Sequence, residues 1–274
     1  MKILLLTSDQ PNQWGLANKI NSLYPLSEIA VVSSSYRKQK TRSLNFWLRK
    51  LNNGLGELIT FAVFRKCWFG MLNHYSCLYE GFPVKPKVLT DNVNSNEVFQ
   101  IIDMLRPDLT VVSGTNLLGT GLIKKVQEYG KIVNLHTGIS PYIKGGPSCT
   151  NWCFYLGRPD LIGNTVMWIN EGIDSGNIIA TEKTVFCSRD SLLNIHIKVM
   201  EHGHDLYLRS IQKIITGEEL PDINQNELSP HRLFLGKDWK TFHRVKALCN
   251  YLWMRYLCPK STYNCECVYP VQRD

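Results

Sequence analysis

The feature that most constrains this fold is an alternation between residues 87 and 135. Short apolar runs rich in β-branched residues are each followed by a segment of helical periodicity. Residues 87–90 read as a strand. Residues 94–105 read as a helix with Val98, Ile101, Ile102 and Leu105 on one face, and Asn94 and Glu97 stand at capping-box spacing at its start. Arg106-Pro107-Asp108 stops that helix, and a strand (109–113), a helix (122–129) and a strand (131–135) follow. Parallel strands cannot be joined by a tight turn, so strand–helix–strand repetition implies a parallel sheet with helices laid over it.

The same logic extends in both directions. Residues 2–7 and 28–33 read as buried strands separated by a short helix. After Pro147 come a helical stretch to Leu156, strands at 163–169 and 177–185, and a long helix from an Asp190 N-cap to about Thr216. The fold class expected is α/β, a Rossmann-like, mostly parallel sheet with helices on both faces plus a short C-terminal extension. The catalytic unit is expected over 1–217. A linker (Pro221 and the polar run 222–229) and a small extension occupy 218–274.

Two stretches depart from this pattern. Residues 36–80 carry Arg37, Lys38, Lys40, Arg42, Arg49, Lys50, Arg65 and Lys66 against the single acid Glu57 before Glu80, with Phe46, Trp47, Phe61, Phe64, Trp68 and Phe69 interleaved. This reads as a helical insertion, two helices broken near Asn52-Asn53-Gly54. The tail from Pro230 is also basic and aromatic, with Arg232, Phe234, Lys237, Trp239, Lys240, Phe242, Arg244 and Lys246. Together they locate the formal net charge of +8, which suits an anionic partner.

Composition excludes two classes. With 44% hydrophobic and 11% aromatic residues the chain is not disordered, and nine cysteines in 274 residues are too sparse for a disulfide scaffold. The opening Met1-Lys2-Ile3-Leu4-Leu5-Leu6 turns polar too soon for an export signal, so free thiols in a cytoplasmic protein are expected. The apolar stretch 55–72 is interrupted by Glu57, Arg65 and Lys66 and does not read as a membrane span. Cys265-x-Cys267, with Cys258 and Cys249 upstream, matches no zinc spacing, and no metal is expected.

The first strand is followed by Ser8-Asp9-Gln10-Pro11-Asn12-Gln13-Trp14-Gly15, which is not a dinucleotide fingerprint, and there is no P-loop. The chemistry concentrates in 130–182. Strand 131–135 runs into Asn134-Leu135-His136, so Asn134 and His136 share one side at the strand's carboxyl end, where open α/β sheets place ligands. An amide donor beside an imidazole suits acyl transfer, where one group meets a developing oxyanion and the other moves a proton. Taken alone, the pair also fits a structural histidine beside an asparagine that satisfies a turn.

The flanks add to it. Thr137-Gly138-Ile139-Ser140-Pro141-Tyr142-Ile143-Lys144-Gly145-Gly146 follows His136, then the strand Asn164-Thr165-Val166-Met167-Trp168, then Asp174-Ser175-Gly176-Asn177-Ile178. Over roughly 85–185 this order of motifs resembles the folate-dependent formyltransferases, most nearly the nucleotide-sugar N-formyltransferases. The resemblance implies 10-formyltetrahydrofolate as donor and a primary amine as acceptor. It assigns Asn134 to the tetrahedral oxyanion, His136 to accepting or orienting the amine proton, and Asp174 to holding the imidazole and passing protons through water. It implies a folate pocket lined by Asn116, Leu117 and Leu118, closed by Gly172 and Ile173. One position departs from the family: Gly138 stands where relatives carry serine, which puts any role of that hydroxyl in doubt.

Among the branches of that family, a glycinamide ribonucleotide formyltransferase is expected to carry a glycine-rich loop after the first strand, absent from Gln10–Gly15. Methionyl-tRNA formyltransferase is expected to carry a C-terminal barrel, for which the stretch after Gly217 is short. The branch left implies a nucleotide-linked amino-deoxysugar as acceptor, a homodimer, and a place in lipopolysaccharide or surface-glycan biosynthesis. Lys144, Phe234, Lys237, Trp239 and Lys240 are the candidate substrate-binding residues, against packing aromatics and a solvated basic face. Segment 36–80 is open between a cover over the nucleotide, a dimer contact, a peripheral membrane contact and a plain solvated helix pair. No nucleic-acid motif is present. The alternatives are a methionyl-tRNA-like or other small-amine formyltransferase, or a non-catalytic nucleotide- or membrane-binding protein on the same fold.

Overall fold

A computed structural model describes residues 1–32, 44–146, 148–258 and 263, with backbone alone for 32 and 44–49. Arg37, Lys38, Lys40, Arg42, Pro147, Cys265 and Cys267, and the side chains of Phe46, Trp47 and Arg49, lie outside the described residues.

The chain opens with β1 (Ile3–Ser8), buried on both faces as a central parallel strand requires. Helix α1 (Pro11–Leu23) begins on a proline, whose missing N–H costs nothing in the first turn, and leads to β2 (Glu28–Val32). Helices α2 (Leu44–Ile59) and α3 (Val63–Leu78) intervene. The alternation then resumes as β3 (Val88–Thr90), α4 (Asn96–Leu105), β4 (Leu109–Ser113), α5 (Thr120–Gln127) and β5 (Lys131–His136). A short β6 (Lys144–Gly146) and α6 (Cys149–Leu156) precede β7 (Gly163–Trp168), β8 (Ile178–Lys183) and the long α7 (Leu192–Thr216). Last come β9 (Leu233–Leu235) and α8 (Thr241–Leu252), which widens into a π turn over Trp253–Leu257.

Seven strands form one sheet in the order β3-β2-β1-β4-β5-β7-β8. The first five are parallel, and β7 and β8 are added antiparallel. From β1 the chain builds outward to β2 and β3, then returns to the other side of β1 for β4 and β5. Connections therefore diverge between the carboxyl ends of β1 and β4, and a crevice opens there.

Each face of the sheet has its own core. Ile3, Leu5, Val31, Val111 and Val133 meet Leu16 and Ile20 of α1 and Leu206, Tyr207 and Ile211 of α7. Leu4, Leu6, Ala30, Val112 and Ile132 meet α4 and α5 on the other side. Helices thus cover both faces, as expected. A third cluster joins Phe64 of α3, Cys153 and Phe154 of α6, Ile195 of α7, and Ala247 and Tyr251 of α8. With β9 pairing parallel to β6, the described part of the chain beyond 217 is tied into this cluster.

Three local expectations are corrected. Asn94 does not cap α4; its side chain instead accepts from Gly119 N at 2.6 Å and donates to Leu117 O at 2.9 Å, tying down the loop after β4. Ser191, not Asp190, caps α7 by accepting from Asn194 N at 3.1 Å. Asp190 instead accepts from Lys198 Nζ at 2.6 Å and Cys187 N at 2.8 Å. Asn52-Asn53-Gly54 does not break the insertion, because α2 runs straight through it. Thr241 of α8 bonds to the Asn52 carbonyl at 2.8 Å, and the missing Cβ of Gly56 admits the Arg244 side chain. The reversal falls at Phe61 and Ala62, both left-handed with φ of 50° and 53°.

Candidate active site

The carboxyl end of β5 delivers Asn134 and His136 to the crevice. Strand pairing fixes them: His136 lies opposite Thr165 and Asn134 opposite Met167 on β7, while Val112 of β4 pairs Asn134 from the other side. Tyr207, fully buried on α7, reinforces this seam. Its hydroxyl accepts from Val112 N at 3.0 Å and lies 2.8 Å from the Val133 carbonyl, so one side chain clamps β4 to β5 one residue before Asn134.

Asp174 arrives from the loop between β7 and β8, in a left-handed conformation (φ 46°) that an aspartate tolerates. Ser175 holds the turn by donating to Asn170 Oδ1 at 2.6 Å, and Asn170 Nδ2 donates back to the Ser175 carbonyl. The carboxylate is the hub of the cluster. Its Oδ2 lies 3.2 Å from His136 Nδ1 and accepts from Gly145 N at 2.8 Å. Its Oδ1 meets Asn134 Nδ2 at a long 3.5 Å. All three residues marked in the sequence are therefore brought together.

His136 is buried, at 6% exposure, and each ring nitrogen faces an acceptor: Nδ1 the Asp174 carboxylate, Nε2 the Ile143 carbonyl at 2.7 Å. A neutral ring would turn a lone pair on one of those oxygens, so only the imidazolium satisfies both. Burial opposes that charge. The Asp174 carboxylate outweighs it, with support from the Cys149 sulfur and the Ile143 carbonyl, and raises the His136 pKa to about 10. Gly138 makes this geometry available. A Cβ there would lie 2.5 Å from His136 Nε2 and 2.7 Å from the Ile143 carbonyl.

Around the cluster opens a cavity of about 560 Å³. The loop after β4 lines the cavity with Asn116, Leu117 and Leu118, and the β7–β8 loop lines it with Gly172 and Ile173. Asn116 acts through its side chain as a loop anchor: Oδ1 accepts from Val93 N at 3.0 Å, and Nδ2 donates to Asn92 Oδ1 at 2.9 Å. Leu118 belongs to the core under α5, whereas Leu117 is exposed at 58% at the rim.

The substrate-binding candidates lie elsewhere. Phe234 stacks on Trp152 at 4.7 Å and Trp239 meets the same ring edge-on at 4.7 Å, inside the third cluster and outside the cavity wall. Their apolar surface finds its partner in Trp152. Lys237 and Lys240 are exposed and do not line the cavity. Lys144 also stays off the wall; desolvation lowers its pKa against the pull of Asp174. Leu235 from the same segment does reach the cavity.

Several lining residues were not among the site candidates read from sequence. Gln13 at the start of α1 accepts from Thr7 Oγ1 at 3.1 Å. Trp68 brings the insertion into the site, Met200 comes from α7, and Cys149 lies 3.8 Å from His136 Nε2. Two signals pointed this way: the position of Gln13 just past the first strand, and the place of Trp68 in the basic, aromatic segment 36–80.

A carboxylate that gathers an amide and an imidazole at the carboxyl edge of a parallel sheet, beside an open cavity, is an arrangement suited to group transfer. Residues 80–211 match the formyl transferase family. It is 30% identical over 165 residues to methionyl-tRNA formyltransferase of Methylacidiphilum infernorum, covering 58% of this chain and 50% of that protein. The chain thus spans about half the length of that relative. A 4-N formyltransferase from Francisella tularensis shares the fold at a TM-score of 0.54 and 16% identity, over 91% of this chain and 87% of that one. So does an N-formyltransferase from Helicobacter canadensis, solved with folinic acid and dTDP-3-aminofucose, at a TM-score of 0.53 and 14% identity over 93% and 82%.

Proposed function

We propose that this chain transfers a formyl group from 10-formyltetrahydrofolate to the primary amine of a nucleotide-linked amino-deoxysugar. The observation that carries the reading is the Asp174 hub, which aligns Asn134 and a charged His136 at one wall of the cavity. The cavity suits a folate: Leu118, Ile123, Ile169 and Ile173 line it with apolar side chains for a flat heterocycle, and residues 113–118 line it as well. Asn116, Leu117, Leu118, Gly172 and Ile173 would hold it. The folate supplies the formyl group.

The residues of the chain divide the remaining work. Asn134 presents its amide N–H to the formyl oxygen, where negative charge develops as the amine attacks. His136, already charged, adds a fixed positive field beside that oxygen and is not free to act as a base. This reading sets aside the first of the two roles the resemblance implies for His136, which are accepting the amine proton and orienting it. The acceptor in the site as built is Asp174, whose Oδ1 keeps lone-pair capacity past its long bond to Asn134; it can take the proton directly or through one water and return it to the folate nitrogen as that nitrogen's bond to the formyl carbon breaks and tetrahydrofolate leaves.

For the acceptor, the sugar reading draws on the Helicobacter neighbour, solved with dTDP-3-aminofucose, whose likeness in fold extends over nearly the whole chain. A second reading, a tRNA-linked amine, draws on the match to methionyl-tRNA formyltransferase. Formyl transfer from 10-formyltetrahydrofolate, assayed against a panel of nucleotide-linked amino sugars and against methionyl-tRNA, separates them. Turnover on a sugar is expected. Turnover on methionyl-tRNA alone selects the second reading, and turnover on neither refutes both.

A further inference from the structure

Helix α2 is mounted with its apolar side outward. The face turned to α8 carries Asn52, Gly56, Glu57 and Thr60. On it, Asn52 accepts from Thr241 and Glu57 pairs with Arg244 Nη1 at 2.6 Å. The opposite face carries Leu51, Leu55, Leu58 and Ile59, spaced three to four residues apart so that they fall in one stripe. Their exposures are 71%, 52%, 74% and 46%, and Phe61 in the following turn is 77% exposed. Single exposed leucines need no explanation, but a full helical stripe with its polar side buried does.

Charge identifies the occupant. Glu57 is the sole acid between residues 36 and 79, and it is turned toward Arg244. Lys50, Arg65 and Lys66 are exposed, Arg65 pairing with Glu57 at 3.3 Å, and the sequence before α2 adds Arg37, Lys38, Lys40 and Arg42. A self-paired contact would lay this cation-rich face against its own copy, which like-charge repulsion opposes. A basic helix with an apolar stripe, lying along the surface and too short to span, has the character of an interfacial helix. We infer that α2 and the turn after it form a docking surface for an anionic lipid bilayer, with the leucine stripe entering the headgroup boundary and the cations meeting lipid phosphates.

The test is flotation of the full chain with phosphatidylglycerol–phosphatidylcholine vesicles and with phosphatidylcholine vesicles, at low and high salt. Binding to the anionic vesicles, weakened by salt, is expected. The double variant Leu55→Asp, Leu58→Asp should weaken it by roughly tenfold or more, with circular dichroism unchanged because both side chains are exposed. Lys66→Glu, a single surface change, should weaken it by roughly tenfold. No binding by the wild-type chain overturns the inference, as does binding unaffected by both variants. A concentration-dependent dimer, seen by light scattering and lost in the double variant, overturns it in favour of a second copy.

Discussion

Gly138 and His136 are in contact through an absence: a Cβ at 138 would stand 2.5 Å from His136 Nε2. The space left by glycine is where the imidazole edge turns onto the Ile143 carbonyl. A side chain at 138 would require the ring or the backbone to move, so this glycine permits the contact with Ile143 that supports the raised pKa set mainly by Asp174.

Gly138→Ala should therefore act on the site more than on the fold. Displacing the ring from Ile143 and Asp174 should reduce formyl transfer by about 10- to 100-fold and cost about 1–3 kcal/mol of stability from overpacking. Steady-state kinetics and denaturant unfolding of the purified variant check both. A variant with wild-type turnover would show that the ring's placement does not matter.

The charge on His136 is itself measurable. By NMR titration the ring should remain protonated well above its ordinary pKa of 6.5, with a value near 10. Asp174→Asn removes the carboxylate and leaves burial to dominate, so the pKa should fall below that of the wild type. A wild-type ring that is neutral at pH 7 contradicts the proposed division of roles.

Three buried histidines give stability a peaked pH profile. His136 has its pKa raised on folding, so its contribution is complete below about 6.5 and is lost as pH rises toward about 10. His196 and His204 are buried with pKa values lowered by desolvation to about 4 and about 3. Below 6.5 the unfolded chain binds their protons more readily than the native one, so stability falls with pH on that side. Tm should be highest near pH 6.5 and drop in both directions, as scanning calorimetry across pH 4–9 would show. His204→Leu should blunt the acid side, since neither ring nitrogen of His204 has a hydrogen-bond partner among the described residues.

Tyr207 tests how the sheet positions the site. Tyr207→Phe removes a hydroxyl that bridges Val112 and Val133 and strands a buried Val112 N–H, at a cost of about 1–3 kcal/mol. Because the clamp lies one residue from Asn134, turnover should fall by more than KM changes. An unchanged kcat would mean that β5 holds Asn134 without it.

Much of this was legible in the sequence wherever local pattern and tertiary need coincide. Leu4, Leu5 and Leu6 are apolar in succession because β1 is covered on both faces. Asn134 and His136 read as neighbours because strand side chains alternate, and they are. What was illegible depends on contacts remote in sequence. The Ile143 carbonyl on His136 comes from backbone, which no side-chain pattern records. Phe234 and Trp239 look like ligand platforms until Trp152 is seen against them. Asn52-Asn53-Gly54 has the composition of a turn, but Thr241 and Arg244 of α8 hold it helical.

The most direct measurement is formyl transfer from 10-formyltetrahydrofolate by the wild-type chain and by Asp174→Asn, with folding confirmed by circular dichroism. In the proposed mechanism Asp174 both holds the His136 charge and takes the amine proton, so the variant should lose about 1,000-fold or more in kcat/KM. Turnover within a few-fold of wild type would contradict a site organised around that carboxylate.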